Sequence, residues 1–109
     1  MRRHVTITKP AESDVHTNYA WWAEHRSEEQ AKRWLVGIYQ AMFQLAEDAD
    51  TYSGATEAKL RQIGIKQVGF GIGSRATHRI LYRVQNDEVI VFRVRALRQD
   101  AIALENLDE

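Results

Sequence analysis

The feature that most constrains this chain is a change in the spacing of its apolar residues. Ala11, Val15, Tyr19 and Trp22 recur at intervals of four, four and three, the spacing of one helical face. A longer stripe follows in Ala31, Trp34, Leu35, Ile38, Tyr39, Met42, Leu45 and Ala46. From Val68 the interval becomes two: Val68, Phe70 and Ile72; Ile80, Tyr82 and Val84; Ile90, Phe92 and Val94. A chain with this pattern builds helices first and a sheet afterwards. A short alternating segment, Val5-Thr6-Ile7, adds a strand before Pro10, which suits the first turn of a helix.

Punctuation between the segments agrees. Ser27-Glu28-Glu29-Gln30 has the form of a capping box, so the first helix ends near His25 and a second starts at once, giving an antiparallel helical hairpin. Residues 47–62 read as a loop that Glu57 to Arg61 interrupts with a helical turn, and Asn86-Asp87 reads as a tight turn between two strands. The expected order is β-α-α-β-β-β, an α+β fold with the hairpin packed on one face of a small, mostly antiparallel sheet. At 109 residues the chain is expected to form one domain, 1–109, without internal repeats.

Composition narrows the function classes. Basic and acidic residues balance at 15 each, so no whole-molecule field draws the chain to nucleic acid or membrane. Without cysteine there are no disulfides or thiolate metal ligands. The four histidines, His4, His16, His25 and His78, show no ligand spacing with carboxylates, so neither a metal nor another cofactor is expected. No apolar leader or membrane-spanning run is apparent, and a cytoplasmic location is expected.

Gly71-Ile72-Gly73-Ser74-Arg75-Ala76 fits the dinucleotide-binding pattern G-x-G-x-x-G/A. That pattern needs a helix directly after the glycines to hold the pyrophosphate, whereas here the strand His78 to Val84 follows. Gly69, Gly71 and Gly73 are instead expected as a strip without side chains on one strand, open to another backbone. If the three triplets face the helices, the far face carries that strip with Gln67, then Arg79, Leu81 and Arg83, and then Val89, Val91, Arg93 and Arg95. Surface arginines are ordinarily solvated and paired with carboxylates. This set is nonetheless concentrated on one mixed surface, suited to a phosphate backbone or an acidic, amphipathic segment.

The start Thr8-Lys9-Pro10-Ala11-Glu12-Ser13-Asp14, of the form T-x-x-A-E-x-D, a helical hairpin, and the run from His78 to Asp100 together resemble the RelE/ParE superfamily of toxins from type II toxin–antitoxin modules, the plasmid-stabilisation type. The resemblance spans nearly the whole chain. It implies one of two actions: ribosome-dependent, metal-free cleavage of mRNA, as in RelE-like members, or poisoning of DNA gyrase by binding, as in ParE-like members. Either is neutralised by a cognate antitoxin whose acidic or amphipathic C-terminal segment wraps the toxin. A toxin fold that has lost toxicity is the remaining reading.

Carried over by residue, the resemblance assigns Arg79 and Arg98 to the nuclease role. It implies target or antitoxin contacts at Gly69, Gly71, Gly73, Arg79, Leu81, Arg83, Val91, Arg93, Arg95 and Arg98. Gly71 and Gly73 stand where the nuclease has lysines, and no tyrosine follows Tyr82. Arginine is a poor base, which leaves Lys66 or His78 as substitutes, both expected on the helix side of the sheet. The resemblance therefore leans toward a ParE-like toxin. Trp22, Trp34, Tyr39 and Tyr82 are expected in the core, with Trp21 flanking it. The tail from Asp100 either folds over Leu81, Val89 and Val91 or yields that strip to the antitoxin.

Overall fold

The structure is a computed structural model that describes residues 2–99 and 102–107. Strand β1 spans His4–Ile7, helix α1 Lys9–His25, helix α2 Glu28–Asp48, a short helix α3 Ala58–Gln62, and strands β2, β3 and β4 Lys66–Phe70, His78–Gln85 and Glu88–Ala96. The sheet order is β1-β4-β3-β2, with β1 parallel to β4 and the other pairs antiparallel. This is the α+β arrangement expected, with a mixed sheet because its first strand enters beside its last.

Local chemistry accounts for the helices. Thr8 caps α1, its hydroxyl accepting from the Ala11 amide, and Ser27 caps α2 by accepting from the Gln30 amide at 3.0 Å. The α2 stripe enters the core as Ala31, Trp34, Ile38, Met42, Leu45 and Ala46, all buried, while Leu35 and Tyr39 are partly covered. Ala11 and Val15 of α1 pack against the same sheet face, joined by the edge of Trp22. Gln85 pairs with Glu88 across the Asn86-Asp87 turn, and Asn86 takes the left-handed conformation that such a turn demands.

Two expectations about the sheet are corrected. Leu81 pairs with Arg93 but Tyr82 pairs with Val91, so Phe92 is an extra residue, a β-bulge in β4. The bulge reverses the alternation: Val89 and Val91, expected on the far face, are fully buried against the helices, while Ile90 and Phe92 turn to the far side. Val94, beyond the bulge, faces the helices as expected. Second, β2 ends at Phe70, so only Gly69 of the glycine strip lies on a strand. Gly71 and Gly73 belong to the seven-residue connection to β3, although Ile72 still packs on the core. A Cβ at Gly71 would sit 2.0 Å from the Arg75 carbonyl oxygen, so glycine there serves a tight loop. Asp100, which closes the resemblance motif, and the acidic residues 108–109 lie outside the described residues.

Candidate functional site: the arginine face of the sheet

The side of the sheet away from the helices carries Arg79, Leu81 and Arg83 from β3 and Ile90, Phe92, Arg93 and Arg95 from β4. It is roofed. Leu81 and Phe92 form a second apolar core with Ala55, Leu60 and Ile65 from the α2–β2 connection and Ile102 and Leu107 from the tail. Of the two fates open to the tail, its described part, residues 102–107, shows the first: Ile102 and Leu107 pack over Leu81, with Phe92 in place of Val89 and Val91.

The arginines are largely engaged within the chain. Arg79 is buried at 7% exposure. Its guanidinium donates to both Glu57 carboxylate oxygens, at 2.8 and 2.5 Å, to Gln67 Oε1 at 2.8 Å and to Thr56 Oγ1 at 3.2 Å. This two-pronged pairing holds the Glu57 carboxyl far below the usual range, at about 2. Glu57 also accepts the Ile102 amide at 3.0 Å, so one carboxylate fixes both the arginine and the tail.

Arg93 makes the matching contact on the other side. It donates to Asp14 at 2.7 and 2.9 Å and to the Asn106 carbonyl at 2.7 Å, and Asp14 also accepts the Val94 amide at 2.9 Å. The T-x-x-A-E-x-D start is thereby explained. Thr8 caps α1 and donates to the Phe92 carbonyl at 3.1 Å, Ala11 is fully buried, and Asp14 clamps β4 just past the bulge. Arg95, opposite Arg79 in the register, has its proton affinity lowered by burial and by the charges of Arg93 and Arg79. Arg83 lies over the Phe92 ring at 5.5 Å and donates to Gln85 at 3.1 Å.

The other residues named for the nuclease role do not converge on Arg79. His78 is buried on the helix side, as expected. Its Nδ1 accepts from the Trp34 indole at 3.3 Å and lies 2.8 Å from the Thr77 hydroxyl, and its Nε2 donates to Asn18 at 2.9 Å. Burial, with the nearby Arg98 charge, depresses its pKa to about 4. Lys66 pairs with Tyr82, four strand positions or about 13 Å along the sheet from Phe70, the partner of His78. Its ammonium donates to the Tyr52 carbonyl at 2.8 Å. Tyr82 is fully buried, its hydroxyl donating to the Ala49 carbonyl at 2.6 Å. Arg98 leaves the sheet beyond β4 and stacks on Trp21 at 4.7 Å. Among the described residues no cluster of three or more His, Asp or Glu side chains could hold a metal ion.

Sequence reasoning missed Asp14 and Glu57 as partners of the arginines. Asp14 was visible only as a letter of the family motif, and Glu57 only as part of a helical turn. The face offers hydrogen-bond donors with tightly bound counter-charges and an apolar centre roofed by residues 102–107, and among the described residues no proton acceptor of ordinary basicity lies beside Arg79.

Residues 5–101 match the model of the ParE toxin of the type II toxin–antitoxin system parDE. No curated protein is significantly similar to the chain. Among solved structures, the chromosomal ParDE toxin–antitoxin system of P. aeruginosa includes a chain that is 16% identical with a TM-score of 0.70, the match covering 89% of this chain and 98% of that one. The toxin–antitoxin complex RelBE2 of Mycobacterium tuberculosis gives 19% identity and a TM-score of 0.59, over 88% and 99%. These two likenesses concern the fold. With the family model matching nearly the whole chain, the protein belongs to the ParE toxin family of type II toxin–antitoxin systems.

Proposed function

We propose that this ParE-family toxin arrests growth by binding a protein target, DNA gyrase, and that it does not cut RNA. The single observation that carries this reading is the state of Arg79. The arginine that would hold the scissile phosphate is already held at both prongs by Glu57. Cleavage through the ribose 2'-hydroxyl also needs a base, and the substitutes are occupied: His78 Nδ1 accepts from Trp34, and Lys66 donates to a backbone carbonyl on the other side of the sheet. The arginine face and the tail that roofs it then serve recognition. A cognate antitoxin with an extended acidic or amphipathic segment is the expected neutralising partner, in keeping with the toxin–antitoxin systems from which both structural relatives come.

The test uses the purified chain in two assays. In a gyrase supercoiling assay it should inhibit at stoichiometric concentration, and in a ribosome-programmed mRNA assay read by primer extension it should leave no new 5' ends. New ends that disappear in Arg79→Ala, with gyrase unaffected, would replace this reading with the nuclease.

A further inference from the structure

A cleft of about 280 Å³ opens where the end of α1, the β2–β3 connection and the exit of β4 meet. Trp21 and Trp22 form its wall, Asn18, Thr77 and His78 its floor, and Leu97 and the guanidinium groups of Arg26 and Arg98 its lip. It shares Arg98 with the arginine set named above and adjoins the surface that carries Asp14, but neither the Arg79–Glu57 nor the Arg93–Asp14 pair lines it.

The charges set this cleft apart. Arg79 and Arg93 are neutralised by Glu57 and Asp14, but Arg26 and Arg98 have no carboxylate partner among the described residues; both lie instead over the Trp21 ring, at 5.7 and 4.7 Å. The floor brings no counter-charge. His78 is neutral, with both ring nitrogens engaged, and Asn18 and Thr77 are uncharged. The carbonyl end of α1 offsets part of the Arg26 charge, and no described carboxylate pairs with Arg98. Two positive groups on an aromatic wall, in a cleft whose described lining carries no carboxylate, beside a half-exposed Leu97, select an anion joined to an apolar group.

Size and stacking decide which anion. At about 280 Å³ the cleft is just below the usual range of ligand pockets, roughly 300–1,000 Å³, and takes side chains, not a whole cofactor. A nucleotide strand would need a free aromatic face, yet Trp21 is already stacked with His25 at 4.9 Å as well as with the arginines. We infer that this cleft is a binding site for an acidic peptide segment, in which one aliphatic side chain enters between Trp22 and Leu97 and an adjacent carboxylate meets Arg26 and Arg98. The inference holds whichever cellular machinery the toxin arrests.

The test is a titration of the 15N-labelled full chain with the capped peptide acetyl-Leu-Glu-Asp-Leu-amide, following the indole N–H signals of Trp21 and Trp22. The expected result is saturable shifts of both signals. Binding should weaken at least tenfold for acetyl-Leu-Gln-Asn-Leu-amide, and at least tenfold in the Arg26→Gln/Arg98→Gln variant. Both arginines are exposed, so the variant's thermal unfolding should match that of the parent. No shift at millimolar peptide, or equal affinity for the neutral peptide, overturns the inference. Tighter binding of the dinucleotide pTpT, with the same two indole signals shifting, overturns it in favour of a phosphate site.

Discussion

Arg79 and Glu57 meet as a bidentate ion pair on the roofed face of the sheet, with the Ile102 amide bound to the same carboxylate. The pair joins three stretches of chain far apart in sequence: the α2–β2 connection, the centre of the sheet and the tail. A buried charge that loses its partner costs about 3–5 kcal/mol, whereas an apolar pair of similar shape is often tolerated. Glu57→Gln is therefore expected to lower unfolding stability in urea by several kcal/mol. The double variant Glu57→Leu/Arg79→Met should recover a substantial part of that loss. A single variant as stable as the parent would mean that the pair contributes nothing to holding the tail.

Acid should unfold the chain in two overlapping windows. His78 binds its proton less readily in the fold, at about 4 against 6.5, so the unfolded state takes up protons first and stability falls as pH drops from about 6.5 to 4. Glu57 is lowered to about 2 from 4.5, so its contribution is complete above 4.5 and is lost as pH falls toward 2. Each shift corresponds to about 3 kcal/mol at most. Urea midpoints between pH 7 and 4 should slope clearly in the parent, and much less in His78→Gln. A slope unchanged in that variant would remove His78 from the account.

The glycines of the β2–β3 connection should separate in their responses. Gly71→Ala places a Cβ against the Arg75 carbonyl and should cost about 1–3 kcal/mol. Gly73→Ala meets nothing within 4 Å and should be neutral, within about 0.5 kcal/mol. Thermal unfolding of the two variants decides this. Equal loss in both would restore the strip of open backbone that the alternation suggested.

Asp14 ties α1 to β4 through the Arg93 guanidinium and the Val94 amide. Asp14→Ala takes the counter-charge from a partly buried arginine that keeps its bond to the Asn106 carbonyl, takes the side-chain acceptor from the Val94 amide, and should destabilise by about 2–4 kcal/mol. Asp14→Asn keeps one oxygen acceptor and should lose less. Hydrogen exchange at Val94 should quicken in the alanine variant before the rest of the sheet responds, and exchange that rises evenly everywhere would contradict a local clamp.

Much of this fold is written locally. The α2 stripe with its Ser27 cap, the Asn86 turn and the alternation of β3 each depend on neighbours a few residues away, and each lies where the pattern puts it. β4 was harder to read for a physical reason. Both faces of its first half are buried, so Val89-Ile90-Val91-Phe92 is apolar throughout and carries no phase that could reveal the bulge. The end of β2 was obscured because Ile72 still packs on the core after the strand hydrogen bonds stop. The candidate site was legible as a set of arginines. Their carboxylate partners were not, because Arg79 and Glu57 are 22 residues apart and Arg93 and Asp14 79 apart, with nothing local to link them.

Arrest by binding, without RNA chemistry, is the central property of this toxin to test. The most direct measurement is inducible expression without antitoxin, following labelled thymidine and methionine incorporation over the first minutes. DNA synthesis is expected to stop first while translation continues. Translation stopping first would contradict it, and would mean that the Glu57 grip on Arg79 opens on the ribosome and that a base is supplied from elsewhere.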